Sequence, residues 1–302
     1  MNKNILITGA SGLIGTRLTE LLHNNGDRIA HLSRTPRSGK AKTFLWDIAK
    51  NKVDGDALQS TDAIIHLAGA GISDKLWSKS RKIEILKSRV NSTRLLYEEL
   101  NKGNHKVQSF VSASAIGIYR LADHNTLITE TSRYGNDFLS AVVRKWEDEI
   151  DLIATLGIRV VKIRIGIVLS EKGGALKEMM RPINLYAGAP LGSGEQSISW
   201  IHLDDLCNIF MKAVEDETLQ GVYNGVAPNP VTNREFTKTL AAVLRKPIIL
   251  PAIPAFAVKI LLGEMADLVL KGGQVSSHKI QKAGFQFKFT KVEDALQNLL
   301  PR

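Results

Sequence analysis

Three glycines at three-residue intervals follow an apolar segment at the start of the chain and precede a segment of helical periodicity. In a strand–turn–helix unit, the first glycine permits a tight turn, the second lets backbone approach a pyrophosphate, and the third allows the helix to pack closely on the strand. The first turn of the helix then presents unpaired N–H groups to the phosphates. The pattern predicts a dinucleotide site, and a tight turn that binds nothing is the alternative. The residues assigned to this site are Gly9, Ser11, Gly12, Leu13, Ile14 and Gly15.

The end of the second apolar segment indicates which dinucleotide binds. NAD sites place an acidic residue there, on the ribose 2′-hydroxyl. This sequence has Ser33 and Arg34 instead, with Arg37 and Lys40 following. Because a guanidinium binds phosphate through paired hydrogen bonds, the pattern favours NADP(H), whose ribose carries a 2′-phosphate. The alternative for Arg34 is a solvated loop charge.

Two further strand ends carry candidate cofactor contacts. Asp47 closes the third apolar segment, where its carboxylate could accept a hydrogen bond from the adenine amino group. A simple turn residue is an equally good interpretation of Asp47. Leu67, Ala68 and Gly69 close the fourth segment, where small residues permit close passage of the ribose and nicotinamide.

Alternating strands and helices must position these residues. Apolar strands are predicted at 4–8, 28–32, 43–46, 63–68, 109–113 and 159–169, and helices at 13–22, 78–102, 137–156 and 204–214. This alternation is typical of a parallel sheet covered on both faces. The sequence therefore predicts an α/β fold, a Rossmann-type doubly wound parallel sheet with a smaller C-terminal substrate lobe. The predicted NADP-binding domain spans 1–170, and the lobe spans 171–302, with segments that can return to the sheet.

Longer motifs carry a family resemblance. They include Leu67-Ala68-Gly69, Lys145-Trp146-Glu147, Ser199-Trp200-Ile201-His202 and Gly263-Glu264-Met265-Ala266. From residue 4 to about 300 the chain resembles the YfcH-like epimerase-family proteins, an atypical branch of the extended short-chain dehydrogenase/reductase superfamily (SDR). The resemblance implies NADP binding but no established substrate. The NADP contacts that it implies are Ser33, Arg34, Leu67, Ala68, Glu84, Arg89 and Arg164.

Some of the implied contacts have structural alternatives. Glu84 and Arg89 lie five residues apart on a predicted helix, where a solvated face is an equally good interpretation. Arg164 interrupts an apolar strand, and an unpaired buried Arg is costly. Its partner is therefore a phosphate or carboxylate of a ligand, or else an internal ion pair. Arg120 stands where such proteins usually have Gly, which places a cation near the expected substrate side.

The superfamily's usual proton-transfer pair, Tyr-x-x-x-Lys, is missing. The tyrosines are Tyr97, Tyr119, Tyr134, Tyr186 and Tyr223, and none has Lys four residues later. Phe138 and Leu139 occupy the place where the Tyr is expected. Ser114 with Tyr119 is the best remaining acid–base pair.

Two histidines complete the candidates. His202 could donate a proton to the substrate. Alternatively, it lies where a helix opens, with Asp204 or Asp205 as the N-cap. His66, inside the fourth strand, is predicted to be a core histidine, and no metal-ligand pattern appears.

Charge and composition limit the classes of partner that the protein could bind. Net charge is +10, from 40 Lys and Arg against 30 Asp and Glu, yet no nucleic-acid recognition motif is present. Arg34, Arg37, Arg89 and Arg164 can instead serve one polyanionic cofactor. No apolar run is long enough for a membrane span, and one cysteine and no signal sequence favour a cytoplasmic protein.

Two functions follow from these observations. The first is an NADP(H)-dependent oxidoreductase or epimerase that acts on a small molecule, with nucleotide-linked substrates among the candidates. The second is a protein that binds or senses NADP without turnover, which the missing Tyr-x-x-x-Lys pair favours. The sequence leaves the oligomeric state open.

Overall fold

A computed structural model describes residues 3–36, 39, 41–120 and 126–300. Arg37 and Lys40 lie outside the described residues. Among those described, the strands are β1 (Asn4–Thr8), β2 (Arg28–Ser33), β3 (Lys42–Asp47), β4 (Lys52–Val53), β5 (Ala63–His66), β6 (Ser109–Ala115), β7 (Leu127–Ile128), β8 (Arg159–Ile165), β9 (Ile167–Leu169), β10 (Ser197–Ile198), β11 (Trp200–His202), β12 (Gly221–Gly225), β13 (Val231–Thr232) and β14 (Gln274–Val275). The α-helices are α1 (Leu13–Asn24), α2 (Lys79–Asn101), α3 (Phe138–Ala154), α4 (Ala175–Asn184), α5 (Leu203–Glu215), α6 (Asn233–Val243), α7 (Ala255–Leu262), α8 (Asp267–Leu270), α9 (His278–Lys282) and α10 (Val292–Leu299).

The main sheet has the strand order β12-β8-β6-β5-β1-β2-β3-β4, and its strands are parallel except that β4 runs antiparallel to β3. From β1 the chain steps to β2 on one side, whereas from β5 it steps to β6 on the other. Right-handed crossovers therefore place α1 and α2 on opposite faces of the sheet. Helix α1 packs against α5, and α2 packs against α3. The predicted doubly wound α/β fold is confirmed.

The strand predicted at 159–169 is not one strand. It divides at Gly166 into β8, which stays in the main sheet, and β9, which pairs with β11. The change of partner brings the backbone of Ser199 so close that glycine is required at position 166, because a Cβ there would lie 2.3 Å from the Ser199 carbonyl oxygen. An apolar run does not reveal such a change of partner, because β8 and β9 are both rich in apolar residues.

The chain after residue 170 builds a second apolar cluster but also returns to the sheet. Trp200, Phe236 and Leu296 belong to this second cluster. Strand β12, however, extends the main sheet beside β8. The division at residue 170 therefore remains a prediction.

The order of the strands locates a crevice. Connections leave β1 and β5 in opposite directions, so the space outside their carboxyl ends is not crossed by either helix. Open parallel sheets bind ligands at such a switch point. The glycine turn after β1 and residues 67–69 after β5 both lie there.

Candidate cofactor and substrate site

The glycine turn forms a cradle that side chains would fill. Gly9 has φ +66°, and a Cβ there would lie 2.7 Å from the backbone of Leu67. A Cβ at Gly15 would lie 2.5 Å from the carbonyl oxygen of Gly9. Gly12 is the N-cap of α1, and no side chain caps the helix there. The first N–H groups of α1 are therefore available to an anion at the switch point.

A buried histidine holds the neighbouring loop in place. The Thr8 hydroxyl accepts from the backbone N–H groups of Leu67 at 3.1 Å and Ala68 at 3.2 Å, so its own hydrogen serves His66 Nδ1 at 2.8 Å. His66 Nε2 lies 3.1 Å from the Thr93 hydroxyl. Burial lowers the pKa of His66 to about 3, so the ring is neutral. The core position predicted for His66 is what the structure shows, and the network joins β1, β5 and α2 below the switch point.

The ends of β2 and β3 present different side chains. Arg34 is exposed, and among the described residues it has no hydrogen-bond or ion-pair partner. Ser33 is half-buried beside it. The Asp47 carboxylate accepts from the backbone N–H groups of Ala49 and Lys50 at 3.0 and 3.1 Å. Asp47 thus acts as a turn residue, the alternative recognised in the sequence, and its adenine contact stays a prediction.

Arg89 is a buried cation without a carboxylate partner among the described residues. Its Nη1 donates to the carbonyl oxygen of Ile85 at 3.0 Å, and its guanidinium lies 5.4 Å from the Trp146 ring centroid. Burial, together with the charge of Arg81, lowers the pKa of Arg89 to about 10. A Cβ at Gly69 would lie 3.1 Å from Arg89 Cζ, so the guanidinium lies directly beneath the loop. The solvated-face interpretation is therefore wrong for Arg89.

Sequence reasoning missed Arg81, which lies on the same helix. Its Nη1 donates to Glu84 at 2.7 Å, and its Nη2 donates to the carbonyl oxygen of Gly71. Glu84 itself is exposed, which fits the solvated-face interpretation for that residue. Arg81 and Arg89 are eight residues apart in a helix, a spacing that places them on one face and could have identified Arg81.

Arg164 makes the internal ion pair. Its Nε and Nη2 donate to the two carboxylate oxygens of Glu147, both at 2.8 Å, and its Nη1 donates to the Tyr119 hydroxyl at 2.9 Å. The Ser114 hydroxyl donates to Glu147 at 2.5 Å. Burial alone would raise the pKa of Glu147, but the hydrogen bonds and charge of Arg164 hold it below its usual range. The guanidinium thus has a partner without any ligand.

The Tyr119 hydroxyl is enclosed in the same network. It donates to Asn224 Oδ1 at 2.6 Å while it accepts from Arg164, and the residue is 1% exposed. Burial raises the pKa of Tyr119 to about 12, against the opposing charge of Arg164. This geometry gives no support to Tyr119 as a proton donor to substrate. At the expected Tyr position, Phe138 packs edge-on against Trp77 with ring centroids 5.1 Å apart.

His202 belongs to a different cluster. Its Nδ1 accepts from the backbone N–H of Asp204 at 3.0 Å, so His202 is the N-cap of α5. The expectation that Asp204 or Asp205 caps this helix is therefore wrong. Asp204 pairs with Arg17 at 2.7 Å, and Asp205 accepts from the backbone N–H groups of residues 288 and 289. Burial lowers the pKa of His202, and the ring stacks on Phe289.

The structure therefore divides the three catalytic candidates. Ser114 and Tyr119 share the Glu147–Arg164 network, whereas His202 shares a cavity of about 600 Å³ with the glycine turn. Sequence reasoning also missed the loop after β9, since Ser170 and Lys172 line this cavity as well. Nothing in the local sequence marks that loop, because the chain reaches the cavity only after leaving the sheet at Gly166.

Two kinds of feature are absent from the described part of the chain, a metal cluster and a membrane-spanning helix. No group of three or more His, Cys, Asp or Glu side chains is arranged to hold a metal ion there. Nor is any helix in those ranges both long and apolar enough to span a bilayer.

Comparisons with known proteins find relatives of one family along nearly the whole chain. Residues 5–224 match the model of the NAD dependent epimerase/dehydratase family, and residues 253–299 match a domain of unknown function, DUF1731. The chain is 39% identical to the epimerase family protein SDR39U1 homolog, chloroplastic, of Arabidopsis thaliana, over 98% of this chain and 86% of the relative.

Two solved structures are also similar. One is human epimerase family protein SDR39U1 with NADPH, with a TM-score of 0.88, 32% identity, and coverage of 98% of this chain and 99% of that one. The other is the nucleoside-diphosphate sugar epimerase from Corynebacterium glutamicum, with a TM-score of 0.81 and 30% identity. That match covers 99% of this chain and 58% of the Corynebacterium chain.

Proposed function

The chain belongs to the NAD dependent epimerase/dehydratase family, and from that premise we propose that it is an NADP(H)-binding SDR-type oxidoreductase or epimerase. The family expected from the sequence motifs is confirmed, although the relatives named above carry the name SDR39U1 rather than YfcH. A small-molecule substrate, with nucleotide-linked sugars as first candidates, is part of the proposal. The similarity to a nucleoside-diphosphate sugar epimerase of Corynebacterium glutamicum supports that substrate class.

The observation that carries the proposal is the glycine cradle. Gly9 and Gly15 are required by close backbone contacts, so they report on the turn itself. Gly12 is different, because its φ of −76° is open to other residues and a Cβ would meet only the carbonyl oxygen of Gly9, at 3.3 Å. The backbone conformation therefore does not require glycine at position 12. Its lack of a side chain, next to the uncapped N–H groups of α1, instead leaves room for a pyrophosphate to approach.

Ser33 and Arg34 support NADP(H) over NAD(H). Arg34 is exposed and unpaired among the described residues, so its donors are free for a 2′-phosphate. The bound NADPH of human SDR39U1 supports the same cofactor. We assign Leu67, Ala68 and Gly69 to the passage of the ribose and nicotinamide.

Arg89 is the second cation that we assign to the ligand. A buried guanidinium without a carboxylate is costly, and the cost falls when an anion or a polar oxygen reaches it. Because Gly69 has no side chain, the loop above Arg89 is thin enough for a ligand to approach. We do not assign Arg164 to the cofactor, since its donors already serve Glu147 and Tyr119.

When bound, the cofactor supplies hydride chemistry, and the protein's own groups position the substrate. Ser114 is the acid–base candidate that we retain. Its hydroxyl donates to Glu147 at 2.5 Å, so its oxygen faces outward from that bond as an acceptor and can bind and orient a substrate hydroxyl. Tyr119 positions Arg164 and Asn224 in this scheme.

A protein that binds NADP without turnover is the second candidate. The enclosed Tyr119 hydroxyl and the Phe138 side chain at the usual Tyr position favour it. Both candidates predict tight binding of NADPH. They differ in turnover: an oxidoreductase changes the redox state of the cofactor, an epimerase converts its substrate with no net change in the cofactor, and the second candidate does neither.

The test has two stages. Purified protein is titrated with NADPH and NADH, followed by the cofactor's fluorescence. It is then incubated with NADPH or NADP+ and a panel of nucleotide-linked sugars, aldehydes and ketones, and both the cofactor and the sugar products are analysed. Cofactor oxidation or reduction, or conversion of a sugar to its epimer, that Ser114→Ala reduces would support the enzyme. Tight binding with neither change would favour the second candidate, and absence of NADPH binding would overturn both.

The arrangement of the whole chain forms the last part of the proposal. Residues 1–170 bind the cofactor, and 171–302 contribute the substrate side. We propose a cytoplasmic location, although the Arabidopsis relative is described as chloroplastic, so location differs among relatives. Nucleic acid is not among the proposed partners.

A further inference from the structure

Large apolar side chains are exposed together on one side of the C-terminal lobe. Ile260 is 82% exposed, Leu185 is 78% exposed and Leu261 is 75% exposed. The set, called here the apolar patch, consists of Leu185, Tyr186, Ile249, Leu250, Phe256, Ile260 and Leu261. Soluble surfaces rarely gather so many large apolar side chains without a partner.

Helix α7 is the centre of the apolar patch. It reads Ala-Phe-Ala-Val-Lys-Ile-Leu-Leu, and only Val258 is buried. A helix that is apolar on almost every side is normally enclosed on all of them. Here the fold covers one side of the helix and leaves Phe256, Ile260 and Leu261 in solvent. Packing inside the chain therefore does not explain the composition of α7.

Contacts join the segment after α4 to the segment before α7. The Lys246 ammonium donates to the Tyr186 hydroxyl at 2.9 Å and lies 4.3 Å from the centroid of its ring. Leu191 and Ile253 pair through a parallel β-bridge. These contacts align 185–191 with 246–253, the segment that leads directly into α7, so the exposed apolar residues after α4 and those before α7 lie side by side.

The segment that carries most of the apolar patch is basic, and the two acidic residues that follow it, Glu264 and Asp267, pair with Lys82 and Lys271. Residues 236–263 contain Lys238, Arg245, Lys246 and Lys259 and no Asp or Glu. Tyr186, whose hydroxyl accepts from Lys246, has a φ of 59°, a conformation uncommon for a residue with a side chain. The side chains of Tyr and Lys combine an apolar body with a polar tip, and this combination suits a membrane–water interface.

We propose that the apolar patch docks on an anionic lipid surface, with Phe256, Ile260 and Leu261 entering the headgroup region and the lysines meeting the phosphates. The inference goes beyond the proposed function and does not depend on it. Apolar insertion and attraction to anionic headgroups add together in such contacts. A second copy of the chain is the less favoured occupant, because a two-fold contact would bring the same cations face to face.

The test uses the full chain and two kinds of vesicle. Sedimentation with vesicles of phosphatidylglycerol and phosphatidylcholine is compared with sedimentation with phosphatidylcholine alone. We expect the wild type to sediment with the anionic vesicles only. Phe256→Glu combined with Ile260→Glu should lower the bound-to-free ratio by about tenfold or more.

A matched control separates the apolar patch from net charge. Ile83→Glu combined with Leu127→Glu makes the same chemical change at two exposed apolar residues outside the patch, and it should retain vesicle binding. Thermal unfolding of both double variants checks that each is folded. Equal loss of binding in both would overturn the proposal, as would a wild type that ignores anionic vesicles. A wild-type dimer that the patch variant converts to a monomer would assign the surface to a second copy instead.

Discussion

The guanidinium groups of Arg164 and Arg89 are both buried, but among the described residues only that of Arg164 is paired with a carboxylate of the protein. Arg164 is neutralised by Glu147 and has its donors used by Tyr119, Glu130 and Tyr134. Arg89 has a carbonyl oxygen and an aromatic face but no carboxylate among the described residues. At the residue scale, the first is part of the fold and the second is available to a ligand.

Removal of Arg164 tests that distinction. Arg164→Ala leaves Glu147 as a buried charge without its main partner, and we expect a loss of about 3–5 kcal/mol in the free energy of unfolding. Urea unfolding measures it, with Arg144→Ala, an exposed position on α3, as the control. NADPH affinity should be unchanged in the folded variant. Normal stability combined with lost NADPH affinity would contradict the internal assignment.

His66 gives a pH dependence with a defined sign. Folding lowers the pKa of His66 from 6.5 to about 3, so between these values the unfolded chain binds a proton that the folded chain does not. This contribution destabilises the protein as pH falls, by about 1.4 kcal/mol per pH unit. Urea unfolding at pH 7, 6 and 5 should show a shallower decline for His66→Gln than for the wild type. Parallel declines would contradict a buried neutral His66.

Sequence could identify these residues but not their state. A cation inside an apolar strand or on a helix face is visible in the chain, and both alternatives for Arg164 were open. Whether Glu147 reaches Arg164 depends on how α3 packs against β8. The spacing of Arg81 from Arg89 could have placed both on one face of α2, but not that this face meets the loop after β5, where Arg81 binds the carbonyl oxygen of Gly71.

At the scale of elements, the turn between β1 and α1 contains glycines that are there for two different reasons: one is required by the backbone, and the other leaves room for a ligand. Gly9 is fixed by its positive φ and by the backbone of Leu67, whereas Gly12 has an ordinary φ and no blocking backbone closer than 3.3 Å. The strand–turn–helix pattern was predictable because the turn, the helix start and the positive φ are local requirements. The division of the strand at Gly166 was not, because its cause, the pairing of β9 with β11, involves a segment distant in sequence. The N-cap at His202 is local, but Asp204 and Asp205 beside it are the more usual capping residue types.

Alanine at these two glycines should give opposite results. Gly9→Ala should cost about 1–3 kcal/mol from the backbone conformation alone, with the overlap against Leu67 in addition. Gly12→Ala should cost no more than about 1 kcal/mol but weaken NADPH binding by at least about tenfold, because its methyl group occupies the cradle. Thermal unfolding and fluorescence titration measure the two effects. An equal effect of both substitutions on stability and binding would contradict the assignment.

For the whole molecule, the doubly wound sheet was predictable because its strands are continuous apolar runs separated by helices of regular periodicity. The C-terminal lobe was less predictable, since β12 returns to the sheet after α5 and the lobe's strands are short. The net charge of +10 does not require nucleic acid. Arg34 and Arg89 are free of internal carboxylate partners among the described residues, and the cations near α7 form a separate surface.

The most direct test of the central claim, NADP(H) binding at the end of β2, is the ratio of affinities for NADPH and NADH. Arg34→Glu places a carboxylate where a 2′-phosphate would bind, so NADPH affinity should fall by about tenfold or more while NADH affinity does not fall. Arg28→Glu, at the exposed opposite end of the same strand, makes the same charge change and should leave both affinities as in the wild type. An unchanged preference for NADPH in Arg34→Glu, or equal losses in the two variants, would contradict the assignment of this site.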